Sequence, residues 1–401
     1  MSVESGRPVS RSLPGATIVQ IVPSLDEEPV ARGAVEVAIG LLRSGARVIT
    51  MSEEGPLVAE LQGLGGEWLR LASETANPLT LRHNTRVVGD LIAAERVDLV
   101  HAHGVGAARS AAALKNGAGL LLVLSYAPAD LARRWRNKPY GRALALGDRI
   151  LVPSRYVAAA IAARHRLAAD RTVVIPDRID TSRFDPAAVS PERAMVLRRG
   201  WKIGRGERVV LVPGRLDPTR GQLTAVEAVR ILVNGGLRNV VFILAGDPRA
   251  HADHAQAVAA QAEALGVAAL VRQVGICTDM PGAYRAADFV LVPRSEPPTF
   301  SRPAAEAMAM ARPVIATTVG ALPELVLAPP AVDEAARTGW LVPPDDPVAL
   351  ARAVAEALAI DAQAYRAIAM HARKLAELWF SPVRVAAATL AVYAGLLERD
   401  A

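Results

Sequence analysis

The feature that most restricts the fold of this chain is an alternation of short apolar runs, rich in β-branched residues, with amphipathic segments of helical length. The alternation extends from residue 16 to about 176 and is repeated from about 208 to 342. It is typical of right-handed βαβ units, which form parallel sheets covered by helices. We therefore predict two doubly wound α/β sheets, with strands at 16–22, 47–51, 99–103, 120–125, 149–152 and 172–175, and at 208–212, 240–245, 270–274, 289–292 and 314–316.

The length of the chain agrees with two domains, because 401 residues exceed what one hydrophobic core usually supports. Between the two sets of strands, residues 176–199 contain several Asp and Pro residues and little apolar periodicity, which indicates a linker. We predict a first domain over 1–190 and a second over 191–379. A helical, Ala-rich tail follows, in which Pro382 can begin a last helix within 380–401.

Three features of the composition favour a cytoplasmic protein. Uncharged apolar stretches such as 117–129 are shorter than the ~20 residues that a bilayer crossing requires. Residues 1–15 are polar and lack the apolar centre of a secretory signal. The lone cysteine, Cys277, excludes an internal disulfide and a cysteine-rich metal site, which fits a reducing compartment.

The net charge of +6 is too modest and too dispersed to require a nucleic-acid partner, although it suits anionic ligands. One dense basic cluster is interleaved with aromatic residues. It is either a solvated surface or a dock for a phosphorylated acceptor or an anionic membrane surface. Its members are Arg133, Arg134, Trp135, Arg136, Lys138, Tyr140 and Arg142.

The loop after the strand at 208–212 has the chemistry of a diphosphate site. Ligands of open parallel sheets sit at the carboxyl ends of strands, where helix N-termini present free N–H groups. Here Gly214 and Arg215 are followed by Arg220 beside a helix start, so two guanidinium groups lie five residues apart. Charge-assisted hydrogen bonds from both could hold a pyrophosphate. Two surface arginines in a polar turn are the alternative.

The loop after the strand at 289–292, residues 294–303, leads into another helix start. Ser301 is expected to cap this helix. Glu306, in its second turn, can accept paired hydrogen bonds from the two hydroxyls of a ribose. Alternatively, Glu306 is an acid stabilised by the helix dipole near the N-terminal turn.

Taken in order, these segments and several others resemble the landmarks of the retaining glycosyltransferases of family 4, over nearly all of the chain. The matching stretches are VHAHG (100–104), GDRILVPS (147–154), VIPDRIDTSRF (174–184), VPGRLDPTRG (212–221), LAGD (244–247), VGICTDM (274–280), residues 287–312, PVIAT (313–317) and GWLVPP (339–344).

The resemblance implies a GT-B fold, in which two Rossmann-like domains face a cleft and the last helix crosses back to the first domain. It implies that the second domain binds a nucleoside diphosphate sugar and the first domain the acceptor. The family's Arg and Lys on the diphosphate fall on Arg215 and Arg220, and its ribose-binding glutamate falls on Glu306. The donor site would also contain Gly214, Thr299, Phe300 and Ser301. Neither a cofactor nor a metal is expected, because the acids lack clustered spacing.

The chain departs from the family at several positions. The first glutamate of the family's motif, which approaches the donor sugar, falls on Pro298, and Glu296 is a candidate substitute. Ser301 occupies the position of a glycine. In the first domain, Glu28 and Pro29 replace a Gly-Gly loop, and Ala127 replaces a histidine. His103 remains as a candidate catalytic residue, with a structural role at its strand end as the alternative.

Two functions follow. The first is a hexosyltransferase-type enzyme that moves a sugar to a lipid-linked or cell-envelope glycan, with peripheral contact to the inner face of the plasma membrane as one reading of the basic cluster. The second is a nucleotide-sugar-binding or scaffold protein that has lost transfer. A dinucleotide-dependent oxidoreductase is disfavoured, because no Gly-x-Gly-x-x-Gly run follows an early strand.

Overall fold

The computed structural model of the protein describes residues 12–115, 120–126, 138–165, 167 and 169–399. The chain divides into two compact units. The first unit comprises Met1–Arg178 and Pro382–Ala401, and the second comprises Ile179–Ser381. The division falls at residue 178 rather than near 190, because Ile179, Phe184 and Val189 are buried in the core of the second unit.

Within the described residues, the sheet of the first unit has seven strands in the order β3-β2-β1-β4-β5-β6-β7, all paired in parallel. This order reverses direction between β1 and β4, as expected for a doubly wound sheet. The strands are β1 (Thr17–Ser24), β2 (Arg47–Glu53), β3 (Glu67–Arg70), β4 (Leu99–His103), β5 (Leu121–Ser125), β6 (Arg149–Val152) and β7 (Thr172–Val174).

Helices cover both faces of this sheet. Ile18 and Val22 of β1 are buried in one hydrophobic cluster, whereas Val19 and Ile21 are buried in another, because successive side chains of a strand point to opposite faces. The helices are α1 (Pro29–Arg43), α2 (Leu57–Gly63), α3 (Pro78–Glu95), α4 (Val105–Ala112), α5 (Lys138–Leu146) and α6 (Arg155–His165).

The second unit has a six-stranded parallel sheet in the order β10-β9-β8-β11-β12-β13, and here too both faces are buried. Val209 and Leu211 of β8 pack on one side, and Val210 and Val212 on the other. The strands are β8 (Arg208–Pro213), β9 (Val240–Ala245), β10 (Val271–Gly275), β11 (Phe289–Val292), β12 (Val314–Thr317) and β13 (Gly339–Val342). The helices are α7 (Pro191–Gly200), α8 (Gln222–Asn234), α9 (Ala252–Ala264), α10 (Met280–Ala286), α11 (Arg302–Ala309), α12 (Leu322–Leu325), α13 (Pro347–Ala359) and α14 (Ala362–Trp379).

The last helix, α15 (Pro382–Arg399), returns to the first unit and packs on α1. Gly40 of α1 makes the approach close, since a Cβ atom at this position would lie 2.7 Å from Leu390 Cδ1. Tyr393 is fully buried, and its hydroxyl lies 2.5 Å from Nδ1 of His101 on β4. The prediction of a C-terminal helix that joins the first domain is therefore confirmed.

The stretch Ala362–Glu398 is long and apolar enough to cross a membrane by length and composition, because it contains an 18-residue window with a mean hydropathy of 1.5. It consists of two helices, however, and these belong to different units. Ala372 and Ala376 are buried in the core of the second unit, whereas Tyr393 and Leu397 are buried in that of the first. Because its two helices are buried in two separate cores, the apolar composition of this stretch is only weak evidence for a membrane span.

The eleven predicted strands are all present, and two strands were missed. Both missed strands, Glu67–Arg70 and Gly339–Val342, have four residues and lie at the outer edges of their sheets. In Glu67–Arg70 three of the four residues are exposed, so it lacks an apolar run. Gly339–Val342 is mostly buried, but it begins with Gly, a residue that strands disfavour. The predicted linker 176–199 also contains a regular helix, α7, which Ser190 caps by accepting a hydrogen bond from the Arg193 N–H at 3.3 Å.

Candidate functional site

The turn after β8 is shaped by glycines at both of its ends. Gly214 (φ +126°) and Gly221 (φ +69°) both have positive φ angles, which side chains disfavour. Gly221 precedes the first residue of α8, and a Cβ atom there would lie 1.7 Å from the carbonyl oxygen of Pro293. The turn therefore lies tightly against the loop that follows β11.

Asp217 organises the side chains of this turn, and it is only 4% exposed. Its Oδ1 accepts hydrogen bonds from the Thr219 N–H at 3.0 Å and from the Thr219 hydroxyl at 2.5 Å. Its Oδ2 lies 3.2 Å from Arg220 Nε and 3.6 Å from Arg215 Nε. Burial raises the pKa of Asp217, but the Thr219 hydrogen bond and the charge of Arg220 outweigh it and lower the pKa below its usual range.

One carboxylate thus holds the two predicted diphosphate residues together. The Arg220 side chain is 22% exposed and fixed by this contact, whereas the Arg215 side chain is 65% exposed. The main chain of Arg215 is held as well, because the Gln222 amide donates to its carbonyl oxygen at 2.9 Å. The structure therefore presents two guanidinium groups beside the start of α8, with most of Arg215 open to solvent.

A third guanidinium, that of Arg294, lies at the same edge of the sheet, although the sequence pattern had assigned it no role. Its Nε donates to the Glu296 carbonyl oxygen at 3.1 Å, and its own carbonyl oxygen accepts from the Thr317 hydroxyl at 2.7 Å. Burial and then the charge of Arg220 lower its pKa to about 10. Its position in the sequence could have identified Arg294 as a site residue, because it lies two residues after the end of β11, as Arg215 lies two residues after the end of β8.

The loop between β11 and α11 places its predicted residues in different surroundings. Phe300 is buried, with its ring 5.5 Å from that of Phe380 in an edge-to-face contact, and Thr299 is partly exposed. Ser301 occupies the N-cap position but makes no capping hydrogen bond, contrary to expectation. Its hydroxyl oxygen is buried and has no hydrogen-bond partner among the described residues.

Pro298, in the position of the family's first glutamate, is buried against the loop that follows β12. Its carbonyl oxygen accepts from the Ala321 N–H at 3.0 Å. A Cβ atom on Gly320 would lie 2.5 Å from the same oxygen, so these two loops are in close contact. Glu296, the candidate substitute, is exposed.

Glu306 lies on α11 with its carboxyl group turned toward Tyr284 of α10. Its Oε2 accepts a hydrogen bond from the Tyr284 hydroxyl at 2.9 Å. Burial raises the pKa of Glu306, and the Tyr284 hydrogen bond only partly offsets this effect. Burial and the negative charge of Glu306 together raise the pKa of Tyr284.

The raised pKa of Glu306 predicts how one substitution changes the pH dependence of stability. A carboxyl group whose pKa is higher in the folded state than its value of 4.5 in the unfolded state loses its stabilising contribution as the pH rises. We expect Glu306→Gln to gain stability relative to the wild type as the pH rises from 5 to 7.5, by a difference on the order of 1 kcal/mol, because the glutamine cannot ionise. Urea unfolding at both pH values measures this difference. Glu263→Gln on the exposed face of α9 is the control, and an equal gain in both variants would contradict the expectation.

In the first unit, His103 ends β4 with its ring centroid 3.9 Å from that of His101. Its Nε2 is buried and has no hydrogen-bond partner in the described part of the chain. Burial lowers the pKa of His103 to about 4, so its imidazole is neutral at pH 7. His101, by contrast, is held on both sides, by Tyr393 and by the Ser125 hydroxyl 2.9 Å from its Nε2. His103 belongs to the first unit and Glu296 to the second.

The remaining predicted positions are described only in part. Glu28 is the exposed N-cap of α1 and Pro29 its first residue, so α1 begins after a short loop, residues 25–28, that follows β1. Ala127 and most of the basic cluster lie outside the described residues. Of that cluster, the structure describes the side chains of Tyr140, which is buried, and Arg142, which is exposed. Among the residues that the structure describes, no group of three or more His, Cys, Asp and Glu side chains could hold a metal ion.

Comparison with known proteins gives one matching family model in each unit. Residues 30–183 match the model described as Glycosyltransferase Family 4, and residues 207–359 match Glycosyl transferases group 1. A curated relative is the D-inositol 3-phosphate glycosyltransferase of Salinispora tropica, with 30% identity over 249 residues, 57% of this chain and 49% of the relative. The chain thus spans about half the length of the curated relatives it matches.

Solved structures match over almost the whole chain. A glycosyltransferase from Rickettsia africae has a TM-score of 0.79 at 24% identity, over 96% of this chain and 99% of that one. HepE from Anabaena, solved in complex with UDP and glucose, has a TM-score of 0.73 at 20% identity, over 95% and 100%. At these identities the likeness shows a shared fold, the GT-B fold that the sequence predicted.

Proposed function

Because the chain belongs to the family 4-like glycosyltransferases, we propose that it moves a sugar from a nucleoside diphosphate donor to a glycan acceptor with retention of configuration. The observation that carries this proposal is the turn after β8, where Asp217 holds Arg215 and Arg220 beside the start of α8. The free N–H groups of a helix start add to the attraction for phosphate. The complex of HepE with UDP and glucose supports the choice of donor class.

In this proposal, the arginines act on the diphosphate as it leaves the sugar. Negative charge grows on the leaving diphosphate in the transition state, and positive groups that are already in place stabilise it without reorganisation. Arg220 meets this condition through its contact with Asp217, and Arg215 can close over the bound phosphates from solvent. The positive charge comes from protein side chains, and the proposal includes no cofactor or metal.

We assign the ribose of the donor to Glu306. Among the residues that the structure describes, its carboxyl group accepts one hydrogen bond, from Tyr284, and a carboxylate has acceptor sites left for two ribose hydroxyls. The proposed donor site is completed by Gly214, Thr299, Phe300 and Ser301. The buried Ser301 hydroxyl has no hydrogen-bond partner among the described residues, so it is available to a ligand. Glu296 and His103 remain the candidates for a catalytic role.

For the acceptor, we propose a lipid-linked or cell-envelope glycan that carries phosphate. The basic cluster around Arg142 suits an anionic group, and the curated relative is named for a phosphorylated inositol. The same cluster would support peripheral contact with the inner face of the plasma membrane, and hence a cytoplasmic location.

The second candidate function is a protein that binds nucleotide sugars without transferring them. The buried Pro298 motivates it, because a proline in this place can neither accept a proton nor form an ionic contact with a sugar. Loss of a preorganised group typically costs about 3 to 4 kcal/mol, or 100-fold to 1000-fold in rate. Both functions require the same diphosphate site.

A donor panel tests the proposal and separates the two functions. We expect the purified protein to bind at least one of the UDP-, GDP- and ADP-sugars in calorimetry, and to release the nucleoside diphosphate when acceptors from its own cell are added. Chromatography measures this release. Binding without any cleavage or transfer would favour the second function, whereas no binding of any donor would overturn both.

A further inference from the structure

Arg294 is a cation that the fold brings to the proposed diphosphate site without a carboxylate partner. Its side chain is half-buried and forms no ion pair within the described residues. Its one hydrogen bond uses Nε, toward the carbonyl oxygen of Glu296, so neither terminal nitrogen has a partner there. A guanidinium group carries five donors, and two parallel terminal N–H bonds match the geometry of a phosphate.

Backbone contacts join the segment around Arg294 to the turn that carries Arg220. The Ser295 N–H donates to the carbonyl oxygen of Thr219 at 3.2 Å. One residue before Arg294, the carbonyl oxygen of Pro293 faces Gly221 so closely that only glycine fits there. The residues on both sides of Arg294 therefore contact the residues on both sides of Arg220.

The charges at this edge are unbalanced. Arg215, Arg220 and Arg294 supply three positive charges, and Asp217 is already shared between the first two. Glu296 lies within electrostatic range of Arg294 but is exposed and forms no ion pair with it in the described chain. At least one positive charge stays in excess. An anion with several oxygen atoms would relieve the repulsion among the three guanidinium groups.

We propose that Arg294 is a third ligand of the donor diphosphate, beside Arg220. This inference rests on the proposed function. It adds to that function a site that recognises two linked phosphates rather than a nucleoside. It also implies a cost in the free protein, because Arg294 and Arg220 repel each other until the diphosphate is bound.

A merely structural role for Arg294 makes a different prediction. If Arg294 serves only to hold its loop through the Glu296 carbonyl oxygen, its removal should lower the melting temperature of the free protein. Affinities for UDP and uridine should then fall together, since both need the same loop. A phosphate ligand, in contrast, should affect UDP alone and leave the stability of the free protein unchanged or higher.

The experiment compares Arg294→Met with the wild type, with UDP and uridine as calorimetric probes. We expect the Kd for UDP to rise about 10- to 100-fold, the range for one charge-assisted hydrogen bond, with the Kd for uridine unchanged and the melting temperature not lowered. Arg294→Lys should recover part of the loss, because it restores the charge without the planar fork. Arg230→Met, at an exposed position of α8, is the matched control and should bind UDP normally.

The outcomes separate this inference from the proposed function. A wild-type protein that binds no nucleoside diphosphate overturns both. A wild type that binds UDP while Arg294→Met binds it equally well overturns the role of Arg294 alone. Equal losses for UDP and uridine, together with a lower melting temperature, overturn it in favour of the structural role.

Discussion

Replacing both Arg215 and Arg220 by alanine is expected to weaken UDP binding roughly 100- to 10,000-fold. Each charge-assisted hydrogen bond to phosphate contributes about 1.5 to 3 kcal/mol, so that two together give about 3 to 6 kcal/mol. The two side chains share Asp217, so their contributions are coupled and need not add. Isothermal titration calorimetry with UDP measures the loss.

The matched control is the double variant Arg230→Ala/Arg238→Ala, which removes the same charge from exposed positions of the second unit. It should bind UDP within a few-fold of the wild type. Because the Arg215→Ala/Arg220→Ala variant leaves the buried Asp217 without its guanidinium partners, its melting temperature must be recorded as well. Unchanged UDP affinity in a folded double variant would show that the diphosphate binds elsewhere.

Gly221→Ala is expected to destabilise the second unit strongly. The new Cβ atom would lie 1.7 Å from the carbonyl oxygen of Pro293, a distance that forces the two loops apart. Such overpacking typically costs about 1 to 3 kcal/mol, and a side chain at positive φ adds about 1 to 2 kcal/mol. We therefore expect a loss of about 3 kcal/mol or more in the free energy of unfolding, measured by urea denaturation.

Comparison with Gly236→Ala separates the destabilisation caused by the steric clash of Gly221→Ala from that caused by a side chain at positive φ. Gly236 also has a positive φ, of +91°, but a Cβ atom there would meet nothing within 4 Å. Its substitution should cost about 1 to 2 kcal/mol, the conformational part alone. Gly221→Ala should in addition weaken UDP binding, since the separated loops carry Arg220 and Arg294, whereas Gly236→Ala should not. Equal losses in the two variants would disprove the close contact at Pro293.

The strands could be predicted because their signal is local, and a local signal also led to the prediction of the donor arginines. A buried parallel strand must be apolar on both faces, so segments such as Val240–Ala245 and Phe289–Val292 stand out from the sequence with correct ends. Arg215 and Arg220 were predicted as donor ligands by the rule that ligands bind at the carboxyl ends of such strands, and the structure places both against Asp217. The edge strand Glu67–Arg70 lacks this signal, because Glu67, Leu69 and Arg70 are all exposed.

Contacts between segments that are distant in the sequence could not be predicted, because no local sequence pattern indicates them. The sequence around Glu306 does not indicate that its carboxyl group accepts a hydrogen bond from Tyr284, which lies 22 residues earlier. Similarly, the sequence predicts that Ser301 caps α11, but its buried hydroxyl makes no capping hydrogen bond. Both side chains are directed by how α10, α11 and the adjoining loop pack, which depends on the whole core of the second unit.

The amino-acid order alone therefore determined the two parallel sheets and the family of the chain, because hydrophobic periodicity and loop composition can be recognised within short segments. It also predicted the sheet edge at which the donor is proposed to bind. Only the tertiary structure decided that Asp217 joins two arginines, that Arg294 stands beside Arg220 without a carboxylate, and that Pro298 is buried. Those facts depend on loops from strands far apart in the chain meeting at one edge, where their charges and shapes act on one another.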